Sequence, residues 1–150
     1  MRGSFCQKML NIQKNIPSPE EIERAGRLRE VFSALSEVNQ RFPVIVEGKN
    51  DANALRKLGL EGDIVILHSG KNLYDFCEDI MERFPRVVIL LDWDTKGENL
   101  YKAISRNLRG HWEEFSVFRD VIKILCQKEV KDVEGIPKLL LRLEGNEYSR

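Results

Sequence analysis

The 150-residue sequence is poor in cysteine and histidine, and this scarcity narrows the chemistry open to it. Its three cysteines are isolated, and its only histidines are His68 and His111. An odd number of cysteines without a Cys-x-x-Cys pair argues against a disulfide framework or a zinc site. We therefore expect no soft-metal centre, and we expect Cys77 to lie in the core on an apolar helix face.

Long apolar runs are also absent. No stretch approaches the ~20 apolar residues that a membrane-spanning helix needs, and residues 1–16 lack the apolar segment of a secretory signal. We therefore expect a cytoplasmic protein that does not act at a membrane.

Neither sign of charge is in excess, with 24 basic and 24 acidic residues. That balance leaves nucleic acid open as a partner, because the distribution of charge matters more than its sum.

From residue 18 onwards, the hydrophobic spacing alternates between the helical and the strand period. Helices are predicted over 18–39, 51–58, 72–84, 96–108, 113–126 and 133–143, and strands over 44–46, 63–67 and 86–91. This alternation predicts an α/β fold, with a mainly parallel sheet of about four strands and helices on both faces. The strand over 86–91 is almost continuously apolar, which predicts a central position in the sheet.

Several residues predict where the helices begin. Ser18, Pro19 and Glu21 are typical of a capping box with proline at the first helical position. Asp51 and Asp132 each favour the N-cap of the helix that follows. With these limits, the chain divides into a flexible segment (1–17), an N-terminal helix that packs on the core (18–41), a main domain (42–120) and a C-terminal helical extension (121–150).

Acidic residues follow the first and third predicted strands where each strand ends. Glu47 follows the first, and Asp92 and Asp94 follow the third. Ligands of open parallel sheets bind at the carboxyl ends of the strands, so neighbouring strands would bring these three side chains together. Close carboxylates repel one another unless they are protonated or bound to a cation, and oxygen-only ligands suit Mg2+. The sequence therefore predicts a magnesium site at this edge.

Small and basic residues surround these acids. Gly48 and Gly97 permit tight turns and a close approach of the backbone to a phosphate. The candidate phosphate contacts are Lys49, Lys71, Lys96, Lys102 and Arg106. A structural interpretation stays open for each: the lysines as ordinary loop or solvated helix residues, and Asp94, like Asp51, as a helix cap.

The segments "VIVEGKND" (44–51) and "VILLDWDTKG" (88–97) together resemble the Toprim domain, in which one strand ends in Glu-Gly and a later strand ends in Asp-x-Asp. The resemblance covers about residues 42–120 and implies a Rossmann-like Toprim fold. It implies that Glu47 is a general acid or base in phosphoryl transfer, and that Glu47, Asp92 and Asp94 bind Mg2+. Two ions are implied, for which Mn2+ can substitute, and DNA or RNA is the implied partner.

Three functions remain open at this stage. The preferred one is Mg2+-dependent phosphoryl transfer on DNA or RNA by a small nuclease-like or primase-like protein. We expect neither the strand-passage domains of a topoisomerase nor the zinc module of a primase. One alternative is a non-catalytic module that binds nucleic acid or a protein partner through the same metal site. The other is a haloacid-dehalogenase-type phosphatase, although Lys96 stands where those enzymes favour threonine or valine.

Overall fold

A computed structural model describes residues 16–67 and 72–146 of the chain. The helices are α1 (Pro19–Asn39), α2 (Lys49–Lys57), α3 (Leu73–Arg83), α4 (Thr95–Asn107), α5 (Ser116–Cys126) and α6 (Ile136–Leu143), the strands are β1 (Val44–Val46), β2 (Ile64–Ile66) and β3 (Val88–Ile89), and a 3-10 turn spans Glu113–Phe115. The predicted α/β alternation is confirmed. Residues 1–15 of the predicted flexible segment, and His68 and Lys71, lie outside the described residues.

The three strands form a parallel sheet in the order β2-β1-β3. Val44 of β1 pairs with Ile64 on one side and with Val88 on the other. The prediction that β3 is central is therefore wrong, because β1 holds that place. The sheet has three strands in the described residues, where about four were predicted.

The outer edge of β3 is covered by loops, which explains why so apolar a segment lies at the edge of the sheet. The Val87 N–H donates to the His111 carbonyl at 2.8 Å, and the Trp93 N–H donates to the Lys131 carbonyl at 2.9 Å. These bonds satisfy backbone groups that an edge strand otherwise leaves unpaired. The sequence pattern reports burial correctly, but burial here comes from loops and helices rather than from a further strand.

The start of α1 follows the sequence prediction. The Glu21 N–H donates to the Ser18 hydroxyl at 3.1 Å, and the Ser18 N–H donates to the Glu21 carboxylate at 2.9 Å. Pro19 occupies the first helical position, where a missing N–H costs nothing. The capping box is confirmed.

Two other predicted helix starts are wrong. α2 begins at Lys49 with Gly48 as its N-cap, so Asp51 occupies the third helical position instead of the cap. α6 begins at Ile136 with Gly135 as its N-cap. In both places the aspartate binds a backbone amide close by in the chain, which produces a cap-like composition without a cap position.

Helices cover both faces of the sheet, as predicted. Alternate residues of β1 point to opposite faces, so that Val44 and Val46 join one apolar cluster and Ile45 joins the other. The first cluster is completed by residues of α1, α2, α5 and α6, and the second by residues of α3 and α4. Cys77 lies in the second cluster with 1% of its surface exposed, which confirms its predicted core position.

The topology places the carboxyl ends of β1 and β3 side by side. The neighbourhood of these strands was the condition under which the sequence predicted that Glu47, Asp92 and Asp94 converge, and the β1–β3 pairing meets it. Among residues 16–67 and 72–146, no helix is long and apolar enough to cross a membrane.

Candidate functional site

Glu47 follows β1 directly and is 8% exposed. Its Oε1 atom is buried and has no hydrogen-bond partner. Burial raises the pKa of this carboxyl, the charge of Asp94 raises it further, and the nearby Lys96 ammonium lowers it. A buried carboxylate oxygen without a partner is costly, by about 1–3 kcal/mol or more. The position therefore favours either a proton or a bound cation.

Asp92 follows β3 and is equally buried. Its Oδ1 accepts the Val133 backbone N–H at 2.9 Å. Burial raises the pKa of Asp92 to about 7, and the charges of Asp51 and Glu47 contribute to the increase, whereas the Val133 amide opposes it. A cation beside Asp92 would restore the ionised form.

Asp94 is the N-cap of α4, and its Oδ1 accepts the Gly97 N–H at 2.7 Å. The structural interpretation of Asp94 as a cap is therefore correct. The cap uses one carboxylate oxygen, and the side chain is exposed. Because the charge of Asp94 raises the pKa of Glu47, the two carboxylates lie in the same electrostatic neighbourhood.

Gly97 and Gly48 differ in whether their surroundings leave room for a side chain. A Cβ at Gly97 would collide with the backbone carbonyl of Asp92, so the start of α4 approaches the Asp92 backbone closely only because this residue is glycine. At Gly48, an added Cβ would meet only the Asp51 carboxylate, at 4.0 Å. Sterically, Gly97 is needed and Gly48 is replaceable.

Asp51 is 7% exposed, and both of its carboxylate oxygens accept backbone amides. Its Oδ2 accepts the Gly48 N–H and its Oδ1 accepts the Glu134 N–H, each at 3.2 Å. Burial raises the pKa of Asp51, and these two amides lower it in part. Asp51 therefore connects the start of α2 to a segment far along the chain.

Arg119 was missed by the sequence reasoning. It lies in α5 with 2% of its surface exposed, and it donates to the Leu91 carbonyl at 2.8 Å and to the Asp92 carbonyl at 2.7 Å. It also pairs with Glu98 at 2.7 Å, and its guanidinium lies 4.0 Å from the centre of the Tyr101 ring. A sequence signal was present, because Arg119 falls three residues before Ile122 on the buried side of α5.

The predicted basic contacts lie on the surface, as far as they are described. Lys49, Lys96, Lys102 and Arg106 are all exposed, and Lys71 is outside the described residues. Lys96 lies close enough to Glu47 to lower the pKa of that carboxyl. Trp93, which lies between Asp92 and Asp94, packs in the core, since only 6% of its surface is exposed.

The chemistry of these donors fits a hard cation. Within residues 16–67 and 72–146, no three acidic, histidine or cysteine side chains are already arranged as a set of ligands. The oxygen-only donors, the unpartnered Oε1 of Glu47 and the raised pKa of Asp92 nevertheless fit a cation site, because a nearby positive charge would favour the ionised carboxylates. Mg2+ takes one or two carboxylates and retains several waters, so it does not require a complete protein cage.

Comparisons with known proteins find relatives over most of the chain. A UPF0292 protein of Methanosarcina barkeri is 37% identical over 120 residues, which cover 76% of this chain and 80% of the relative. A UPF0292 protein of Pyrococcus horikoshii is 34% identical over 115 residues, covering 75% of this chain and 86% of the relative. A protein from Aquifex aeolicus of known structure matches with a TM-score of 0.58 and 28% identity, over 70% of this chain and 94% of that one.

The family comparison covers the part of the chain that contains the candidate site. A model of the Toprim domain matches residues 42–124, which are more than half of the chain and include Glu47, Asp92 and Asp94. The chain therefore belongs to the Toprim domain family.

Proposed function

We propose that this protein is a Mg2+-dependent phosphoryl-transfer protein that acts on nucleic acid, in the manner of a small nuclease or primase. The Toprim domain supports a metal-dependent role related to nucleic acid. The observation that carries the finer proposal is the buried, unpartnered Oε1 of Glu47, next in the sheet to Asp92 and its raised pKa. These two carboxyls are suited to phosphate chemistry for two reasons. A cation bound beside them would favour their ionised forms, and a carboxyl with a raised pKa can exchange a proton.

Glu47, Asp92 and Asp94 would hold the metal. Bound there, one or two Mg2+ ions would supply positive charge that neutralises the phosphate and stabilises the attacking and leaving oxygens. Asp92 would offer the oxygen that the Val133 amide does not occupy, and Asp94 the oxygen that the α4 cap leaves over. Asp51, with both oxygens bonded to backbone amides, would hold the site together without binding the ion.

Glu47 would move the proton. A carboxyl is an effective general acid or base when its pKa lies near the working pH, and burial raises the pKa of Glu47 in that direction. Lys96 limits the increase because its charge favours the ionised carboxylate. The end of β1 fixes the Glu47 backbone, so its side chain would face a hydroxyl or water at the phosphate in one orientation.

The exposed basic residues would hold the rest of the nucleic acid. Lys49 and Lys96 stand at the first turns of α2 and α4, beside the acidic residues. Lys102 and Arg106 lie four residues apart on one face of α4, which leads away from the site. They would therefore contact phosphates successively further from the scissile one, and such contacts position nucleic acid without reading its sequence.

Metal binding is the first test of this proposal. A Mn2+ titration followed by paramagnetic resonance, with and without a short oligonucleotide, is expected to show binding in the wild type and at least a tenfold loss in Asp92→Asn. Asp63→Asn is the matched control, since Asp63 is an exposed aspartate before β2, at the opposite end of the sheet. Equal affinities in the wild type and in Asp92→Asn would contradict the metal assignment.

Turnover separates the proposed function from the two alternatives. Metal-dependent cleavage or extension of DNA or RNA, lost in Glu47→Gln, is the expected result. Metal-dependent binding of an oligonucleotide without any turnover would support the binding module instead. A phosphoenzyme formed on Asp92 with acetyl phosphate would support the phosphatase.

A further inference from the structure

The segment from Val130 to Gly135 lies between α5 and α6, beyond residue 124, where the Toprim match ends. It nevertheless runs along the carboxyl end of β3. The Trp93 N–H donates to the Lys131 carbonyl, and the Trp93 ring N–H donates to the Val130 carbonyl, both at 2.9 Å. Trp93 stands between Asp92 and Asp94, so both bonds join this segment to the centre of the Asp-x-Asp sequence.

Two backbone amides of the same segment donate directly to buried carboxylates. The Val133 N–H meets Asp92 Oδ1 at 2.9 Å, and the Glu134 N–H meets Asp51 Oδ1 at 3.2 Å. A carboxylate with one oxygen held by an amide has a defined orientation, and its other oxygen has a defined direction. The segment therefore sets how Asp92 presents its second oxygen.

Asp51 extends this influence to β1. Its other oxygen accepts the Gly48 N–H, and Gly48 directly follows Glu47. The bonds from Glu134 to Asp51 and from Asp51 to Gly48 thus join the segment to the turn that carries Glu47. Both strand ends that contribute acids to the site are in this way held by the same six residues.

The segment is itself rigidly placed. Val133 is fully buried in the cluster that contains α1 and α6, and Asp132 Oδ1 accepts the Gly135 N–H at 2.8 Å. A Cβ at Gly135 would come within 3.0 Å of both Asp132 Oδ1 and a Val130 methyl, so the turn has no room for a larger residue without a shift. Its geometry is set by the core before any ligand binds.

We propose that Val130–Gly135 is a positioning element of the metal centre, which orients Asp92 directly and the Glu47–Gly48 turn through Asp51. The proposal rests on the proposed function, because it takes Glu47 and Asp92 as metal ligands. It adds a part of the site that lies outside the matched Toprim segment and that the sequence motifs do not contain. The metal site of this chain thus extends beyond its Toprim domain.

Substitutions at Asp132 test the proposal. Asp132→Ala removes the acceptor of the Gly135 N–H, whereas Asp132→Asn keeps an acceptor and removes only the charge. We expect Asp132→Ala to bind Mn2+ about tenfold more weakly than the wild type, the usual scale for loss of a group that orients a ligand. Asp132→Asn is expected to stay within about threefold, because the turn remains closed.

Amide exchange gives a readout besides metal affinity. The Val133 and Glu134 amides are expected to exchange faster in Asp132→Ala than in the wild type, and Mg2+ is expected to slow their exchange in the wild type. Ser36→Ala is the control, since it also removes one hydrogen bond between a side chain and the backbone, here from the Ser36 hydroxyl to the Gly59 carbonyl, away from the site. It is expected to change neither Mn2+ affinity nor exchange at these two amides.

Trp93→Phe keeps the test decisive if Asp132→Ala does not fold. It retains an aromatic ring, removes the ring N–H that donates to the Val130 carbonyl together with part of the buried indole, and is expected to weaken Mn2+ binding in the same direction. Wild-type affinity in a variant whose Val133 and Glu134 amides exchange faster would overturn the proposal, as would an Asp132→Asn variant as weak as Asp132→Ala. Failure of the wild type to bind Mn2+ would instead overturn the proposed function itself.

Discussion

The acidic residues of the candidate site show how burial changes the pKa of a carboxyl. Asp63 is exposed and its carboxylate is solvated, whereas Asp92 and Glu47 are each 8% exposed at the ends of adjacent strands. Burial disfavours the charged form, so the pKa of both buried groups is raised. A cation bound beside these two carboxyls would favour their ionised forms and so offset the increase.

The raised pKa of Asp92 predicts how the free energy of unfolding depends on pH. In the folded chain its carboxyl keeps a proton up to about pH 7, whereas in the unfolded chain it loses it near its ordinary value of 3.8. Between these values the folded state binds more protons, so the free energy of unfolding of the metal-free protein falls as pH rises, and it levels off above about 7. Mg2+ is expected to restore stability most at the upper end of this range.

Asp92→Asn checks this prediction by urea unfolding in the presence of a chelator. Asparagine cannot ionise and still accepts the Val133 N–H, so the variant is expected to be more stable than the wild type at about pH 8, with a smaller gain at about pH 5. Asp63→Asn, at an exposed position before β2, is the matched control for replacing a carboxyl by an amide. A difference between Asp92→Asn and wild type that does not change with pH would contradict the raised pKa.

At the level of secondary-structure elements, one side chain joins β3, α4 and α5. Arg119 of α5 donates to the carbonyls of Leu91 and Asp92, which follow β3, and pairs with Glu98 of α4. These carbonyls lie where β3 has ended and no neighbouring strand can pair with them. Arg119 therefore takes the place of a sheet partner at the point where the acids of the candidate site begin.

Loss of this side chain is expected to be costly. Arg119→Met leaves the carbonyls of Leu91 and Asp92 without this donor, whereas the partly exposed Glu98 keeps its contact with Lys123. The free energy of unfolding should fall by roughly 2–5 kcal/mol, because each buried carbonyl left unpaired costs about 1–3 kcal/mol. Lys123→Met is the control, because Lys123 contacts the same Glu98 oxygen at 3.3 Å from an exposed position. It should cost about 1 kcal/mol or less by urea unfolding. Similar losses in both variants would contradict the role given to Arg119.

At the level of the whole molecule, the two ends of the described chain meet on one face of the sheet. α1 and α6 lie outside residues 42–124, yet both contribute to the larger apolar cluster. Ion pairs join them at Arg29–Glu144 and at Glu21–Arg142, 2.8 and 3.0 Å long. The predicted domain limits at residues 42 and 120 remain a prediction, but the core of the protein is not confined within them.

Two neighbouring leucines of α6 test this shared core. Leu140 is 1% exposed and Leu141 is 39% exposed. Leu140→Ala is expected to lower the free energy of unfolding by about 2–5 kcal/mol because it opens a cavity between α6 and the sheet. Leu141→Ala should change it by about 1 kcal/mol or less. A free energy of unfolding that is unchanged in Leu140→Ala, as in Leu141→Ala, would show that α6 is not part of the core.

The sequence by itself determined the features that depend on near neighbours and on periodicity. The capping box at Ser18, the α/β alternation and the positions of Glu47, Asp92 and Asp94 at strand ends all follow from residues a few positions apart. Since a strand end is visible wherever an apolar run stops at a charge, the acidic edge of the sheet was predictable without any structure.

Only the tertiary structure decided the strand order and the partners of the buried polar groups. Arg119 binds the Leu91 carbonyl 28 residues away, Val133 binds Asp92 at a separation of 41, and Glu134 binds Asp51 at a separation of 83. No local pattern encodes such pairs, because they arise when helices close over a sheet and each buried polar group must find a partner. The same closure leaves Oε1 of Glu47 without one, and the proposed cation site rests on that atom.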